Sequence, residues 1–411
     1  MMARDKILNK PELLAPAGNL EKLKYAIMYG ADAVYIGGRN YGLRANNDNF
    51  SVEEIKEACD FAHSHKAKVY VTVNIVFHNE DVIGLEDYLI LLDEYGVDAI
   101  IVSDPLVIDL ANRIVPNMEI HISTQQSTLN YEAVNYWKSE GAKRVVLGRE
   151  ASGDNIKEII DKTGLDIEVF IHGAMCSGYS GRCVLSNYLT MRDSNRGGCS
   201  QICRWDFTLQ DEYKNNISKL GYAIAPKDLS MLRYIPNLID MGVKSFKIEG
   251  RMRSIYYVAT ILHTYRRAID EYCNNPDGYE YNKNYEKILY QCANRDAVPQ
   301  YFDHVPGLKE QYYMGRVEVS NQDFLGVVLG YDEEHGEVII EQRNFFSPGD
   351  AVEIFGPKID NYSFKIEYIK DEENNTLDAA RHPRQVLRIP LKEKVEKDDL
   401  MRVKISSWHN C

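Results

Sequence analysis

The sequence predicts an α/β chain, a TIM-like (β/α)8 barrel followed by a small antiparallel β-barrel domain, and three observations carry that prediction. Eight strand-like runs alternate with amphipathic helical runs as far as Glu249. A helix-ending glycine recurs before four of those strands. From Tyr312 onward the pattern changes to short alternating runs separated by turn clusters. Strands that alternate with helices pair in parallel, and eight such units suit a closed barrel. An open doubly wound sheet is the other arrangement, but no Gly-x-Gly-x-x-Gly turn follows the first strand.

In chain order the barrel strands are expected near Glu12 to Ala15, Ala33 to Ile36, Lys68 to Asn74, Ala99 to Ser103, Glu119 to Ser123, Arg144 to Leu147, Asp166 to Ile171 and Ser245 to Glu249. The recurring unit reads Gly30-Ala31-Asp32-Ala33-Val34-Tyr35, Gly96-Val97-Asp98-Ala99-Ile100-Ile101, Gly141-Ala142-Lys143-Arg144-Val145-Val146 and Gly242-Val243-Lys244-Ser245-Phe246-Lys247. Each glycine closes a helical pattern such as Leu20 to Tyr29, at the left-handed position a side chain would penalise. Residues 1–271 are therefore assigned to the barrel, with a cysteine-rich insertion at 176–206. Residues 272–311 begin with Asn274-Asn275-Pro276-Asp277-Gly278, show little helical periodicity outside Tyr285 to Gln291, and are expected to be a linker. Residues 312–411 form the second domain, with strands expected at Gly315 to Val319, Phe324 to Leu329, Glu337 to Glu341, Ala351 to Phe355, Ser363 to Tyr368, Gln385 to Ile389 and Leu400 to Ile405.

Composition narrows the function classes. Hydrophobic residues make up 45% and charged residues 27% of the 411, which supports a sizeable core and excludes a disordered chain. No apolar run approaches the roughly 18 residues of a membrane span. Met1 to Pro11 mixes charges of both signs without an apolar core, so no secretory signal is expected and the protein is assigned to the cytoplasm. A net charge of -13 argues against non-specific adhesion to nucleic acid, although it leaves room for a local basic site.

The cysteines supply the sharpest chemical signal. Cys176, Cys183, Cys199 and Cys203 crowd together while Cys59, Cys273, Cys292 and Cys411 are scattered. Soft thiolates suit zinc or an iron-sulfur cluster, and a cluster tolerates wide spacing because its irons occupy a volume. Paired zinc cysteines are usually two to four residues apart, which fits Cys199/Cys203 but not Cys176/Cys183. Arg182, Arg196 and Arg204 lie beside these thiols and could hold them ionised. Unligated or redox-active thiols are the third possibility. Cys176 follows the seventh strand, at the end where barrel active sites are built.

Strand alternation places polar residues on one face: Thr72 and Asn74; His121, Ser123 and Gln125; Glu168 and His172; Lys247 and Glu249. A structural interior would be branched and apolar, so a polar pocket beneath the mouth is expected. His172, Lys247 and Glu249 are the candidate catalytic residues. Arg44, Asn74, Gln125, Arg149 and Arg251 are the candidate substrate-binding residues. For His172 a satisfied buried histidine is the ordinary alternative, and for the arginines a solvated helix start. His-Glu-x-x-His and Gly-x-Ser-x-Gly are both missing. A cysteine nucleophile paired with His172 or His121 remains a competing arrangement.

The run Glu168-Val169-Phe170-Ile171-His172-Gly173-Ala174-Met175-Cys176-Ser177-Gly178-Tyr179-Ser180-Gly181-Arg182-Cys183-Val184-Leu185-Ser186 resembles the signature of the collagenase-like family catalogued as peptidase U32. Leu14-Ala15-Pro16-Ala17-Gly18, Ser123-Thr124-Gln125, Asn195-Arg196-Gly197-Gly198-Cys199 and Lys247-Ile248-Glu249-Gly250-Arg251 match it too, as does Pro348-Gly349-Asp350 in the second domain. The resemblance implies either a peptidase or, in the members most similar to this chain, a hydroxylase that forms 5-hydroxyuridine at the tRNA wobble position. Such members need an iron-sulfur cluster, expected here as 4Fe-4S, and use prephenate rather than dioxygen. Cys176, Cys183, Cys199 and Cys203 would be the ligands. Shorter relatives in anaerobic ubiquinone synthesis work as a paired complex, so a homo- or hetero-oligomer with a paralogue is a further implication, and the extra domain here favours RNA. Lys247, Arg149 and Arg251 are candidates to hold the prephenate carboxylates. Binding tRNA to an acidic protein calls for a local basic stripe, with Arg266 and Arg267 as expected contributors.

Overall fold

The structure is a computed structural model that describes residues 10–43, 49–217, 221–293, 295–312 and 323–404. Seven parallel strands follow one another: β1 (Glu12–Pro16), β2 (Ala33–Gly37), β3 (Lys68–Val73), β4 (Ala99–Val102), β5 (Glu119–Ile122), β6 (Arg144–Val146) and β7 (Asp166–Gly173). After the short β8 (Asp228–Ser230), β9 (Ser245–Ile248) pairs in parallel with both β7 and β1 and closes an eight-stranded barrel. All eight barrel strands lie where alternation with helices put them. The four helix-ending glycines, Gly30, Gly96, Gly141 and Gly242, have φ of +108°, +78°, +96° and +88°, a region that costs glycine nothing.

Two strands fall outside that scheme. β8 runs antiparallel to the end of β7, pairing Ser230 with His172, and β10 (Ala297–Val298) adds to β8. The barrel strands are buried on both faces because helices cover the outside and side chains fill the lumen. Leu14, Ala33, Tyr35, Tyr70, Ala99 and Ile101 form the apolar part of that lumen. Helix starts are fixed locally: Asn19, Asn130, Ser152 and Ser254 each accept a backbone N–H from the first turn, and Ser51 and Glu54 form a capping box.

Residues 272–311 do not leave the barrel as a linker would. The helix Ile255–Asn274 continues into this segment, and the helix Lys283–Ala293 packs on it through Tyr285, Ile288, Leu289 and Cys292. With β10 joined to β8, the segment extends the barrel's core. Its polar turn at Asn274 to Gly278 concealed an amphipathic helix only three turns long.

The second unit is an antiparallel sheet curled as a half barrel. Its strands are β11 (Phe324–Asp332), β12 (Glu337–Gln342), β13 (Ala351–Phe355), β14 (Tyr362–Lys365), β15 (Ile369–Lys370), β16 (Thr376–Leu377), β17 (Val386–Pro390) and β18 (Leu400–Val403). They are ordered β14-β13-β18-β11-β12-β17-β15-β16 around Val338, Ile340, Phe346, Ile354 and Leu387. The strand expected at Gly315 to Val319 lies outside the described residues. This unit lies along the helix Ile255–Asn274. Tyr256 stacks on Phe324 at 4.9 Å, and the Tyr29 hydroxyl donates to the Asp398 carbonyl at 2.9 Å. Val327, Phe355 and Leu400 join the barrel's own core cluster, so the two units share buried surface. Among the described residues no helix is long and apolar enough to cross a membrane.

Candidate functional site

A cavity of about 220 Å³ opens at the carboxyl-terminal end of the barrel strands. Cys176, Cys183 and Cys199 line one side. Asn74, Gln125, Arg149, Lys247, Glu249 and Arg251 line the remainder, together with Tyr35, Phe170, Ser180 and Asn195.

The thiol side comes from the insertion between β7 and β8, and backbone bonds lace its arms together. The Ile224 N–H donates to the Cys203 carbonyl at 3.1 Å, while the Ile224 carbonyl accepts from the Ser177 hydroxyl at 2.8 Å. One residue thus ties the Cys203 arm to the Cys176 arm. Arg204 repeats the link by donating to the Met175 carbonyl at 3.3 Å, and the buried Asp228 carboxylate holds that guanidinium at 3.3 Å. The Cys183 carbonyl accepts from Asn195 Nδ2 at 3.2 Å and from the Ser194 hydroxyl. Gly181, with φ +77°, sits so close to β5's following loop that a Cβ there would lie 2.1 Å from the Gln125 carbonyl oxygen. Glycine is what lets the insertion close over the mouth.

Burial raises the Cys176 thiol pKa; Arg149 opposes this, while Glu249 and Cys199 reinforce it. Cys176 is nonetheless in contact with solvent, because it lies deep in an open recess. Burial likewise raises Cys203, which Arg204 opposes and the other three thiols reinforce. Cys203 does not line the cavity; it packs against Ala223, Ala225 and Tyr312. Among the described residues no three His, Cys, Asp or Glu side chains converge on a single-ion position; Cys176, Cys183 and Cys199 line the recess and Cys203 does not.

Cationic side chains line the same recess. The Arg149 guanidinium lies 3.8 Å above the Phe170 ring, donates to Ser180 Oγ at 3.3 Å, and approaches Glu249 Oε2 at 3.7 Å. Arg251 is buried and donates to Asn49 Oδ1 at 2.5 Å. Its guanidinium fills the space above Gly37, where a Cβ would come within 2.6 Å of two of its nitrogens. Lys247 rises from the floor, 2.8 Å from Glu168 Oε1 and 4.5 Å from the Tyr35 ring centroid. Below it Arg144 bridges Glu168 at 3.1 Å and Glu12 at 2.6 Å, and Tyr70 and Ser245 donate to Glu12. Burial would raise the Glu168 pKa, but Lys247 and Arg144 outweigh it and hold the carboxyl down to about 2. Asn74 donates to Ser123 Oγ at 3.0 Å, and its buried Oδ1 has no partner among the described residues.

The structure moves one candidate away. His172 does not line the cavity; it is buried against Tyr257 and Tyr265, 3.3 Å from the Tyr265 hydroxyl, and burial lowers its pKa to about 3. The cause is a bulge in β7. Phe170 pairs with Lys247, but His172 pairs with Ile248, so Ile171 is the extra residue and the alternation reverses. His172 therefore faces the covering helix, whereas Glu168 and Phe170 face the lumen. His121 stays in the lumen but below the cavity, against Tyr70 and Glu119. Arg44 lies outside the described residues. Arg266 and Arg267 do not reach the mouth: Arg266 packs over Gly30 and pairs with Asp32 and Asp270 near the amino ends of the strands, and Arg267 pairs with Asp360 of the second unit. Sequence reasoning missed Tyr35, Phe170 and Asn49. Alternation with Ala33 and Gly37 on one inward face was the available signal for Tyr35; nothing local marks Asn49.

The family model for peptidase family U32 matches residues 18–312, and the model for its C-terminal domain matches 320–402. The chain belongs to peptidase family U32. It is 52% identical over 402 residues to tRNA hydroxylation protein P1 of Bacillus subtilis, covering 96% of this chain and 95% of that one. It is 40% identical to the 23S rRNA 5-hydroxycytidine C2501 synthase of Escherichia coli, over 63% of this chain and 39% of that protein. A Porphyromonas gingivalis protein named collagenase is 33% identical over 95% of this chain and 97% of that one. These U32 relatives thus include proteins named for RNA hydroxylation and one named for proteolysis.

Proposed function

We propose that this U32 chain hydroxylates the wobble uridine of tRNA to 5-hydroxyuridine in the cytoplasm, using an iron-sulfur cluster and prephenate, without dioxygen. The observation that supports this reading is that three thiols and three cationic side chains, Arg149, Lys247 and Arg251, line one recess. Cys176, Cys183, Cys199 and Cys203 would hold the cluster, expected as 4Fe-4S. A cluster accepts thiolates spread over a volume, whereas a lone zinc needs four ligands near 2.3 Å from one point, and no such single-ion position is formed among the described residues. When bound, the cluster would supply one-electron transfer. Replacing a ring C–H with C–OH, with water as the oxygen source, releases two protons and two electrons, which would pass one at a time through the cluster to an external two-electron acceptor.

The chain's own residues provide the rest. Arg149 and Arg251 present guanidiniums suited to the two carboxylates of prephenate, and Lys247 adds a third cation on the floor. Phe170 and Asn49 fix the two arginine planes before any anion arrives. Glu249, on the wall beside Arg149, is placed to accept and return a proton. Asn74 Oδ1, buried and without a partner among the described residues, is placed as an acceptor for a ring N–H.

Names of relatives such as the B. subtilis and E. coli proteins support an RNA substrate. The name of the P. gingivalis relative favours a peptidase, yet among the described residues no imidazole is bonded to any of the four thiols, so a cysteine nucleophile would lack its base. Nucleoside mass spectrometry of tRNA from cells lacking the gene decides the matter. Loss of 5-hydroxyuridine derivatives, restored by the wild type but not by Cys199→Ser, is the expected result. Unchanged nucleosides, or gelatin cleavage by metal-free protein abolished by Cys176→Ala, would overturn it.

A further inference from the structure

The insertion that carries the thiols also carries an unusual surface. Of the twenty-one exposed large hydrophobic side chains among the described residues, nine fall between Tyr179 and Ile217. Tyr188 is 83% exposed and Met191 93%, on and just after the helix Leu185–Thr190; Tyr179 and Trp205 are half exposed. Scattered exposed hydrophobics need no explanation, but their concentration on the one insertion that walls the cavity does. Interleaved with them are Arg182 and Arg192, both exposed, which make no ion pair or side-chain hydrogen bond among the described residues. Between Cys176 and Trp205 there are four arginines and a single acidic residue, Asp193; Arg196 and Arg204 are paired with Asp81 and Asp228, which leaves Arg182 and Arg192 as the exposed cations of the segment.

This segment is built as a platform. Arg192 N–H donates to the Ser186 carbonyl, Thr190 and Ser200 hydroxyls meet at 3.1 Å, and Ser200 N–H donates to Ser186 Oγ, so the inner face of the short helix is fastened to the Cys199 arm. Val76 N–H donates to the Asn195 carbonyl, tying the loop after β3 to the same unit. The outer face is left to solvent. Tyr179 and Gly181 line the cavity itself, so the segment that carries this surface also walls the recess.

We infer that this arginine and aromatic surface, centred on Tyr188, Met191 and Arg192, docks a single-stranded RNA loop and delivers one base from it into the thiol-lined cavity. The inference rests on the RNA reading above and says where the RNA sits. Unstacked bases pair well with exposed aromatic faces and guanidinium planes, and cations placed between them meet the phosphates. A reactive base must leave its stack to reach a recessed site. A second copy of the chain is a poorer occupant, since a two-fold contact would set the same positive surface against itself.

The test is binding of a wobble-uridine tRNA transcript, followed by fluorescence anisotropy, to the full chain and to its variants. Tyr188→Ala combined with Met191→Ala, and separately Arg192→Ala, are expected to weaken binding at least fivefold. Tyr188→Phe keeps the ring and should restore wild-type affinity, and Tyr136→Ala, an exposed aromatic on a barrel helix, should change nothing. Circular dichroism identical to wild type excludes misfolding, since these side chains are outside the core. Unchanged tRNA affinity in the well-folded variants would overturn the surface assignment, as would variants that lose a dimer in sedimentation while keeping RNA affinity. If the wild type itself binds no tRNA and 5-hydroxyuridine is unaffected in cells, the underlying RNA reading fails instead.

Discussion

Lys247 Nζ lies 2.8 Å from Glu168 Oε1, with both side chains buried, directly beneath a cavity lined by three cysteines. The pair stands at the top of a charged column, Lys247, Glu168, Arg144 and Glu12, that runs down the barrel lumen. Removing one member strands a buried charge, which costs far more than the pair contributes. Glu168→Gln is expected to lower unfolding free energy by about 3–5 kcal/mol in urea titrations. Adding Lys247→Met should recover part of that loss, and purely additive single-mutant effects would contradict the coupling. Because the Glu168 pKa is depressed from 4.5 to about 2, its contribution is complete above pH 4.5 and fades as pH falls towards 2.

Two buried histidines act over a higher range. Burial lowers His172 from 6.5 to about 3 and His263, packed between Tyr29 and Phe355, from 6.5 to about 4. Both are neutral in the fold, so between those values the unfolded chain binds more protons and acidification favours unfolding. Stability is therefore full above pH 6.5 and declines below it, by up to about 1.4 kcal/mol per pH unit for each histidine. Urea midpoints measured from pH 7 to pH 4.5 should show that slope, and His172→Phe with His263→Phe should flatten it. An unchanged slope would count against neutral burial.

Gly181→Ala tests the closure of the insertion. Its Cβ would collide with the Gln125 backbone and hold an unfavourable φ, and neither neighbour is a flexible side-chain end. The insertion, rather than the barrel, is expected to detach. Limited proteolysis should then cut between residues 176 and 217 at least tenfold faster, with the barrel's helical circular dichroism retained.

Gly37→Ala acts on Arg251 instead. Here the obstacle is a guanidinium that can swing aside, so the cost in stability should stay within about 2 kcal/mol. The anion site, however, loses a pre-positioned donor pair. Prephenate titrated calorimetrically should bind about tenfold more weakly, as in Arg251→Ala. Wild-type affinity in both variants would remove Arg251 from the site.

Arg204→Met severs the links from the Cys203 arm to Met175 and Asp228. After anaerobic reconstitution, iron and sulfide per chain are expected to fall by half or more, while Arg192→Met, at an exposed position, leaves them unchanged.

What the sequence determined by itself was the content of the elements. A period of two in β7, glycine before four of the barrel strands and the abrupt change of pattern after Tyr312 are local signals, set by backbone sterics and by which face must leave water. They placed all eight barrel strands, and they put Asn74, Gln125, Lys247 and Glu249 on faces that do line the cavity. Only the tertiary structure decided what depends on pairing between distant segments. The single-residue slip at Ile171 arises because β7 must match β9 across an insertion of dozens of residues, and it turned His172 to the outside. The joining of the Cys176 and Cys203 arms by Ile224, the seating of Arg251 over Gly37, and the return of residues 272–311 to the barrel likewise rest on contacts between segments remote in sequence. No neighbouring residue encodes such contacts, because they exist only once the barrel has closed and brought the ends of its strands together.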